Sequence, residues 1–406
     1  MMSAVPRPAA QALPNARPIY LDYQATTPVD PRVLDAMLPW FTEKFGNSGS
    51  VTHAYGREAE AAVERARGQV AALIGAEARE IVFTSGATEA NNLALKGAAR
   101  FHREDRDHVV TLSTEHKCVL ESAKALEREG FRVTILPVRP DGLVDLAVLE
   151  AALDERTAVV SVMAAHNEIG VLQPIAEIGA LCRARGILFH TDAAQAFGKI
   201  PLDVDAMAID LLSISGHKAY GPKGVGALYV RRRPRARLAP LVNGGGQERG
   251  LRSGTLPTPL VVGLGEAAAI AAIGKTTEAE RLLALRERFL AGIRAGVPSV
   301  RLNGDPVRRL PANLNLTFPG VGALELIEAC PGLALSTGSA CTAAEVEPSY
   351  VLRALGVSDE LARSSIRIGL GRFSSERDVD FAVDAIVSAV RRLQGGAVKS
   401  RPGAAI

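Results

Sequence analysis

Cysteine is scarce in this chain: four residues in 406, Cys118, Cys182, Cys330 and Cys341, with no CxxC pair among them. A disulfide framework needs paired cysteines and an oxidising compartment, so free thiols in a reducing, cytoplasmic setting are expected, and no metal site is assigned. An excess of charge of either sign is also missing. Acids and bases balance to a formal +3, which gives nucleic acid no electrostatic footprint to bind. The short basic run Arg231-Arg232-Arg233-Pro234-Arg235 abuts a strand-like segment and reads as a solvated loop. Long hydrophobic runs are absent as well. The most apolar stretch, 260–274, contains Glu266 and many small residues, short of the roughly 20 strongly apolar residues of a membrane span; a packed helix is expected there. Residues 1–17 have no acid and only Arg7 and Arg17 as charges. Their prolines would interrupt the amphipathic helix of a mitochondrial presequence, so a disordered tail is expected instead. No internal repeat is visible.

What is present is length and rhythm. Single cores rarely grow past about 250–300 residues, so two domains are expected. From residue 80, short apolar runs alternate with helix-length amphipathic segments, the pattern of a mostly parallel α/β sheet. The predicted strands are 81–84, 108–112, 131–138, 158–163, 187–192, 210–215 and 226–231, with helices between most of them, such as 88–100 and 175–185. After Gly254 the rhythm changes to two long helices, near 259–273 and 276–294, then short strands near 311–317, 333–336 and 365–370, and a last helix near 376–393. The expected division is a large domain over 18–259, whose first part can join the smaller one, a smaller α+β domain over 260–395, and a tail over 396–406.

In open α/β sheets the ligand crevice lies beyond the carboxyl ends of the strands. After 81–84 comes Ser85-Gly86-Ala87-Thr88-Glu89, small residues opening a helix whose free amides suit an anion, although such residues cap many helices. At the end of 187–192 stands Asp192, a carboxylate walled by small residues that would stay ionised against a cation such as a protonated pyridine nitrogen; alone it also reads as a helix cap. After 210–215 comes Gly216-His217-Lys218-Ala219-Tyr220-Gly221. A lysine held there, partly desolvated and beside an aromatic cation at His217, would have a pKa low enough for Schiff-base chemistry. Ser215 and His217 could share the anion with Thr88. Lys223 reads as a surface lysine.

The order phosphate cradle, aspartate, lysine resembles that of the fold-type-I pyridoxal-phosphate enzymes. Within them, LDYQATTP (21–28), FTSGATEANN (83–92), HNEIG (166–170), DAAQAFGK (192–199), SGHKAYGPKG (215–224), RSGT (252–255) and STGSACTAAEVEPSYVLRALG (336–356) resemble the cysteine desulfurases of the class V aminotransferase group, from about residue 18 to 390. The resemblance implies pyridoxal 5'-phosphate on Lys218, Asp192 on the ring nitrogen, Gln195 on the phenolic oxygen and His116 stacked on the ring as an acid–base group. It assigns the phosphate to Ala87, Thr88, Ser215 and His217, with Thr255 reaching it from a neighbouring subunit, hence a homodimer. Asn167 and Arg367 would receive the substrate, L-cysteine, the guanidinium matching its carboxylate. Cys341 would take the sulfur as a persulfide and pass it to an acceptor protein such as an iron-sulfur scaffold.

Cys341 lies among small residues in about 336–347, where a mobile loop is expected; Cys118, Cys182 and Cys330 fall in helix-like segments and read as packed thiols. The alternatives within the fold are a selenocysteine lyase or an aminotransferase, and outside it a non-catalytic partner of a sulfur-transfer protein. The C-terminus after Gly395 lacks the apolar, tryptophan-containing tail with which such enzymes dock the scaffold, so the acceptor stays open.

Overall fold

The computed structural model describes residues 17–337 and 347–399; the first 16 residues, the tail beyond 399 and the segment carrying Cys341 lie outside them. Twelve strands are numbered in chain order. Those of the main sheet are β2 (Ile81–Thr84), β3 (His108–Leu112), β4 (Arg132–Leu136), β5 (Thr157–Ser161), β6 (Leu188–Asp192), β7 (Leu211–Ser215) and β8 (Gly226–Val230), hydrogen-bonded in the order β2-β8-β7-β6-β5-β3-β4. All seven predicted runs are strands, shifted by a residue or two at their ends.

Neighbouring residues on these strands enter different cores. Phe83, Val110, Val160, Leu212 and Ala227 pack on one face beside the helices Ala54–Leu73, Ile175–Ala184 and the start of Thr258–Gly296. Val82, Val109, Val159, Leu211 and Leu228 pack on the other against Ala87–Phe101 and Lys117–Arg128. With both faces covered, the strands read as unbroken apolar runs rather than as alternations. The β3, β4, β5, β6 and β7 ladders are parallel, while β8 is antiparallel to both β7 and β2. Two reversals restore the direction, so β2 points the same way as β7. The carboxyl ends of β2, β3, β5, β6 and β7 therefore share one edge of the sheet.

A second core forms around a three-stranded antiparallel sheet of β9 (Arg301–Leu302), β10 (Asn313–Thr317) and β12 (Ser365–Gly369), ordered β12-β10-β9. Phe289, Ile293, Leu316, Ile368 and Ile386 meet there, joined by Leu21 from the start of the chain. Next to Leu21, β1 (Ile19–Tyr20) pairs in parallel with β11 (Leu333–Ala334). Where two helices are predicted, one helix runs from Thr258 to Gly296, its halves Thr258–Gly274 and Thr276–Gly296 meeting at 76°. The first half packs Val261, Leu264 and Ala268 into the sheet core and the second packs Leu285 and Phe289 into the other, so the helix must bend where one core ends. Among the described residues no single helix is long and apolar enough to cross a membrane.

The basic run after β8 departs from expectation at its first residue. Arg231 is buried, donating to the Ile209 carbonyl and paired with Asp205 at 2.7 Å and Asp210 at 3.2 Å, while Arg232, Arg233 and Arg235 are exposed. The strand still governs its direction there, turning the guanidinium under the sheet edge. A second buried arginine fixes the loop after β8. Arg67 makes two 2.8 Å bonds to the Glu248 carboxylate, which also accepts from the Phe83 amide at 2.6 Å. Removing one member leaves an uncompensated buried charge, so Glu248→Ala is expected to cost about 3–5 kcal/mol. Glu64, the exposed second partner of Arg67, should cost under about 1 kcal/mol as Glu64→Ala. Calorimetric unfolding of both variants checks the ranking, and equal losses would contradict it.

Candidate active site

The shared edge opens into a cavity of about 620 Å³. On one side Gly86 begins the helix Ala87–Phe101 with no side-chain cap. The amides of the first turn, with the positive end of the helix dipole, are thus left to face the cavity at Ala87 and Thr88. The Ser85 amide is instead taken by Glu89, which in turn pairs with Arg252 at 2.8 Å. Ser215 and His217 reach the same cavity from the end of β7. The capping role that competed for Ser85 and Thr88 in the sequence is therefore not used.

Lys218 follows on a single 3₁₀ turn, Gly216–Lys218. Its ammonium donates to the carbonyls of Gln24 at 2.7 Å and Ala25 at 2.6 Å. Burial, then Arg367, pull its pKa down to about 8. The aromatic cation expected beside it is absent. Burial first and Lys218 second depress His217 to about 4, so the imidazole is neutral, and its Nδ1 lies 3.0 Å from the Thr26 hydroxyl. The cation acting on Lys218 comes from β12 instead.

Asp192 ends β6, 5 % exposed. Its carboxylate was expected to need a cation; within the chain it accepts two neutral N–H groups, Asn91 Nδ2 at 2.7 Å and the Ala194 amide at 2.9 Å. Each oxygen keeps an acceptor site for a further donor. His116 stands at a helix start and at the cavity wall. It is the N-cap of the helix Lys117–Arg128, its Nδ1 accepting from the Cys118 amide at 3.2 Å, and it lines the cavity. Accepting at Nδ1 places the proton of a neutral ring at Nε2.

Arg367, on β12, enters from the second core. It is bonded to Asp22 at 2.7 Å and to the Asn167 carbonyl at 3.1 Å, and both Asn167 and Arg367 line the cavity. Gln195, beyond β6, lines it too. Thr255 is exposed and is not among the lining residues. Cys341 lies outside the described residues, but both flanks of its segment touch this region. The Ser336 carbonyl accepts from the Arg367 amide at 2.7 Å, and Ser349 bonds the buried Glu168 at 2.6 Å.

The sequence reading missed three contributors. The segment 20–27 lies across the site like a strap: Gln24 and Ala25 hold Lys218, Thr26 meets His217 and Asp22 meets Arg367. Only its wording was noticed, because its hold on Lys218 is made by backbone carbonyls that no side-chain pattern reveals. Asn91, fully buried mid-helix, orients Asp192; a buried amide on an apolar helix face was the available signal. Cys118 is the third. Cys182 and Cys330 are buried as expected, but Cys118 is only partly so and forms cavity wall, its Sγ 3.1 Å from Asn91 Nδ2. Burial and then Asp192 raise its thiol to about 12.

The aminotransferase class-V family pattern matches residues 19–381. Among curated relatives, the cysteine desulfurase IscS of Rickettsia bellii is 58% identical over 377 residues, covering 93% of this chain and 92% of that one. The cysteine desulfurase of Homo sapiens is 58% identical over 395 residues, covering 97% of this chain and 86% of its own. Among solved structures, a NifS-like protein superposes with a TM-score of 0.86 at 36% identity, covering 92% of this chain and all of the other. SspA in complex with cysteine gives a TM-score of 0.78 at 42% identity, covering 88% of this chain and all of the other. With this much of its length matched at this identity, the chain belongs to the class-V aminotransferase family, among its cysteine desulfurases.

Proposed function

We propose that the chain is a pyridoxal-phosphate-dependent cysteine desulfurase, which takes sulfur from L-cysteine, releases L-alanine and carries the sulfur as a persulfide on Cys341. The observation that carries this reading is the convergence in one cavity of a lysine with a pKa near 8, a buried carboxylate, an uncapped helix start and a guanidinium. These residues fit the cofactor. Ala87, Thr88, Ser215 and His217 would hold its phosphate, Asp192 would accept from its ring nitrogen, Gln195 would donate to its phenolic oxygen, and His116 would stack on its ring. Bound there, pyridoxal phosphate supplies an aldehyde for amine capture and a conjugated ring that takes up electrons released at the substrate Cα.

The chain supplies position and proton transfer. Arg367 and Asn167 receive the substrate carboxylate, the fork of the guanidinium fixing its orientation. Lys218, neutral in an appreciable fraction near pH 7 because its pKa is about 8, takes the proton from the substrate Cα. His116 holds a proton at Nε2 for return to the substrate. The Cys341 thiolate attacks the substrate sulfur; an S–S bond forms, the C–S bond breaks, and its electron pair goes to the carbon skeleton, which a proton completes as alanine. The persulfide then leaves to an acceptor protein such as an iron-sulfur scaffold. Thr255, exposed on the loop that Glu248 anchors, is assigned to the phosphate of a second copy, so the working unit is a homodimer. The cytoplasm is the proposed compartment.

Lys218→Ala is expected to lose the visible absorbance of lysine-bound cofactor and to drop alanine formation at least about 1,000-fold; an unchanged spectrum would move the cofactor elsewhere. Capture of added pyridoxal phosphate by the stripped protein needs the neutral amine. Stopped-flow absorbance should therefore show a rate that rises with pH to a midpoint near the Lys218 value of about 8 and then levels. A midpoint near 10 would contradict the desolvated lysine. Cys341→Ala should keep the cofactor and its spectral response to cysteine while losing sulfide release with a reductant. Sulfide release at the unaltered rate would remove the thiol from the reaction.

A further inference from the structure

DAAQAFGK ends in a lysine that the proposed reaction leaves unused. The chain after β6 makes a helical turn, with the Phe197 amide bonded to the Ala193 carbonyl and the Lys199 amide to that of Ala196. Residues four apart therefore share a face. Lys199 Nζ donates to Gln195 Oε1 at 3.0 Å, and Gln195 Nε2 donates to the Gln24 carbonyl at 2.8 Å. The two partners are chemically one-sided. The backbone carbonyl only accepts and Lys199, when protonated, only donates, so turning the amide over would set oxygen against the carbonyl in either state and NH2 against the ammonium. The orientation is thus decided by chemistry, and Gln195 keeps one N–H for the cavity that it lines.

We infer that Lys199 is a positioning residue, which locks the Gln195 amide so that it presents a hydrogen-bond donor, never an acceptor, to an anionic oxygen of the bound cofactor. This rests on the proposed reading of Gln195 as a cofactor contact. Lys199 sits behind that contact, at a small cavity of about 30 Å³ that it shares with Tyr23, Thr27, Tyr220 and Glu278. Its surroundings support an acting rather than a stray lysine. Burial first, then Lys218, lower it to about 7, with Glu278 opposing and Arg367 assisting. A stranded lysine would be a costly thing to keep there unless its hydrogen bond had a use.

The test compares full-length protein with its K199M, Q195A and doubly substituted forms. Two quantities are read: the dissociation constant of pyridoxal phosphate for the stripped chain, and the pH midpoint of the visible band after loading. Loss of the lock is expected to weaken binding about five- to tenfold in K199M, the scale of one hydrogen bond, and to displace the pH midpoint. Q195A should do at least as much, and K199M should add nothing in the Q195A background. Additive effects would overturn the inference, because Lys199 would then act independently of Gln195. A weakened Q195A with an unaltered K199M overturns it alone; an unaffected Q195A overturns the reading of Gln195 as well. If K199M does not fold, K199Q serves in its place: it fills the site with an amide that can face either way, so it too should weaken binding and displace the midpoint, and an unaltered K199Q overturns the inference.

Discussion

One carbonyl group organises this site. The oxygen of Gln24 accepts from Lys218 Nζ and from Gln195 Nε2 at once, using both lone pairs for two side chains that arrive from the ends of different strands. Everything around it serves to keep that oxygen in place. Thr27 is bonded through its amide to the His217 carbonyl and through its hydroxyl to the same group, and Asp22 is tied to Arg367. The strap passes over β12 and the turn beyond it at Gly369 and Gly371, where any added side chain would collide with Gln24 and Tyr23. Glycine is needed there for close approach, not for an unusual backbone angle. Eight residues near the start of the chain thereby join the sheet edge to a strand of the second core. The Asn167 carbonyl, also bonded to Arg367, ties the same strand to the cavity from the other side.

Desolvation sets the electrical character of the cavity. Glu115, fully buried beneath His116, is pushed well up by burial, and Glu168 is raised by the same cause. His166 falls to about 4 for the converse reason. Burial favours the uncharged form of each. The shift of Glu168 acts in the cavity wall itself, where the helix dipole also points its positive end.

Much of this was legible in the sequence because parallel strands buried on both faces write themselves as plain apolar runs, and chemistry collects where they stop. That rule pointed to Asp192, Lys218 and the helix start at Ala87, although at Asp192 and Ala87 a plain helix cap competed until the family resemblance was weighed. The helix Ala54–Leu73 passed unnoticed, its buried stripe being largely small residues, four alanines and a glycine, and interrupted by Arg67, which gives little contrast between faces. The strap was hidden for a different reason. Its pairing partners lie some 170 to 345 positions away, and its donors and acceptors are largely main-chain atoms. The charge on His217 was misjudged because sequence shows neighbours along the chain, whereas its protonation depends on burial and on Lys218 in space. Arg231 was misjudged similarly, since a run of like charges does not reveal where the strand beneath it ends.

The thiol in the cavity wall has a consequence for fidelity. At pH 7, far below its pKa of about 12, the Cys118 thiol stays protonated. It contributes bulk and a weak hydrogen-bond acceptor to the wall, yet offers almost no nucleophile. A sulfur atom loosened beside it would therefore pass a cysteine that cannot intercept it. Burial first and Asp192 second thus keep a cysteine in the cavity wall out of thiol chemistry, so that the wall at this point acts as inert packing.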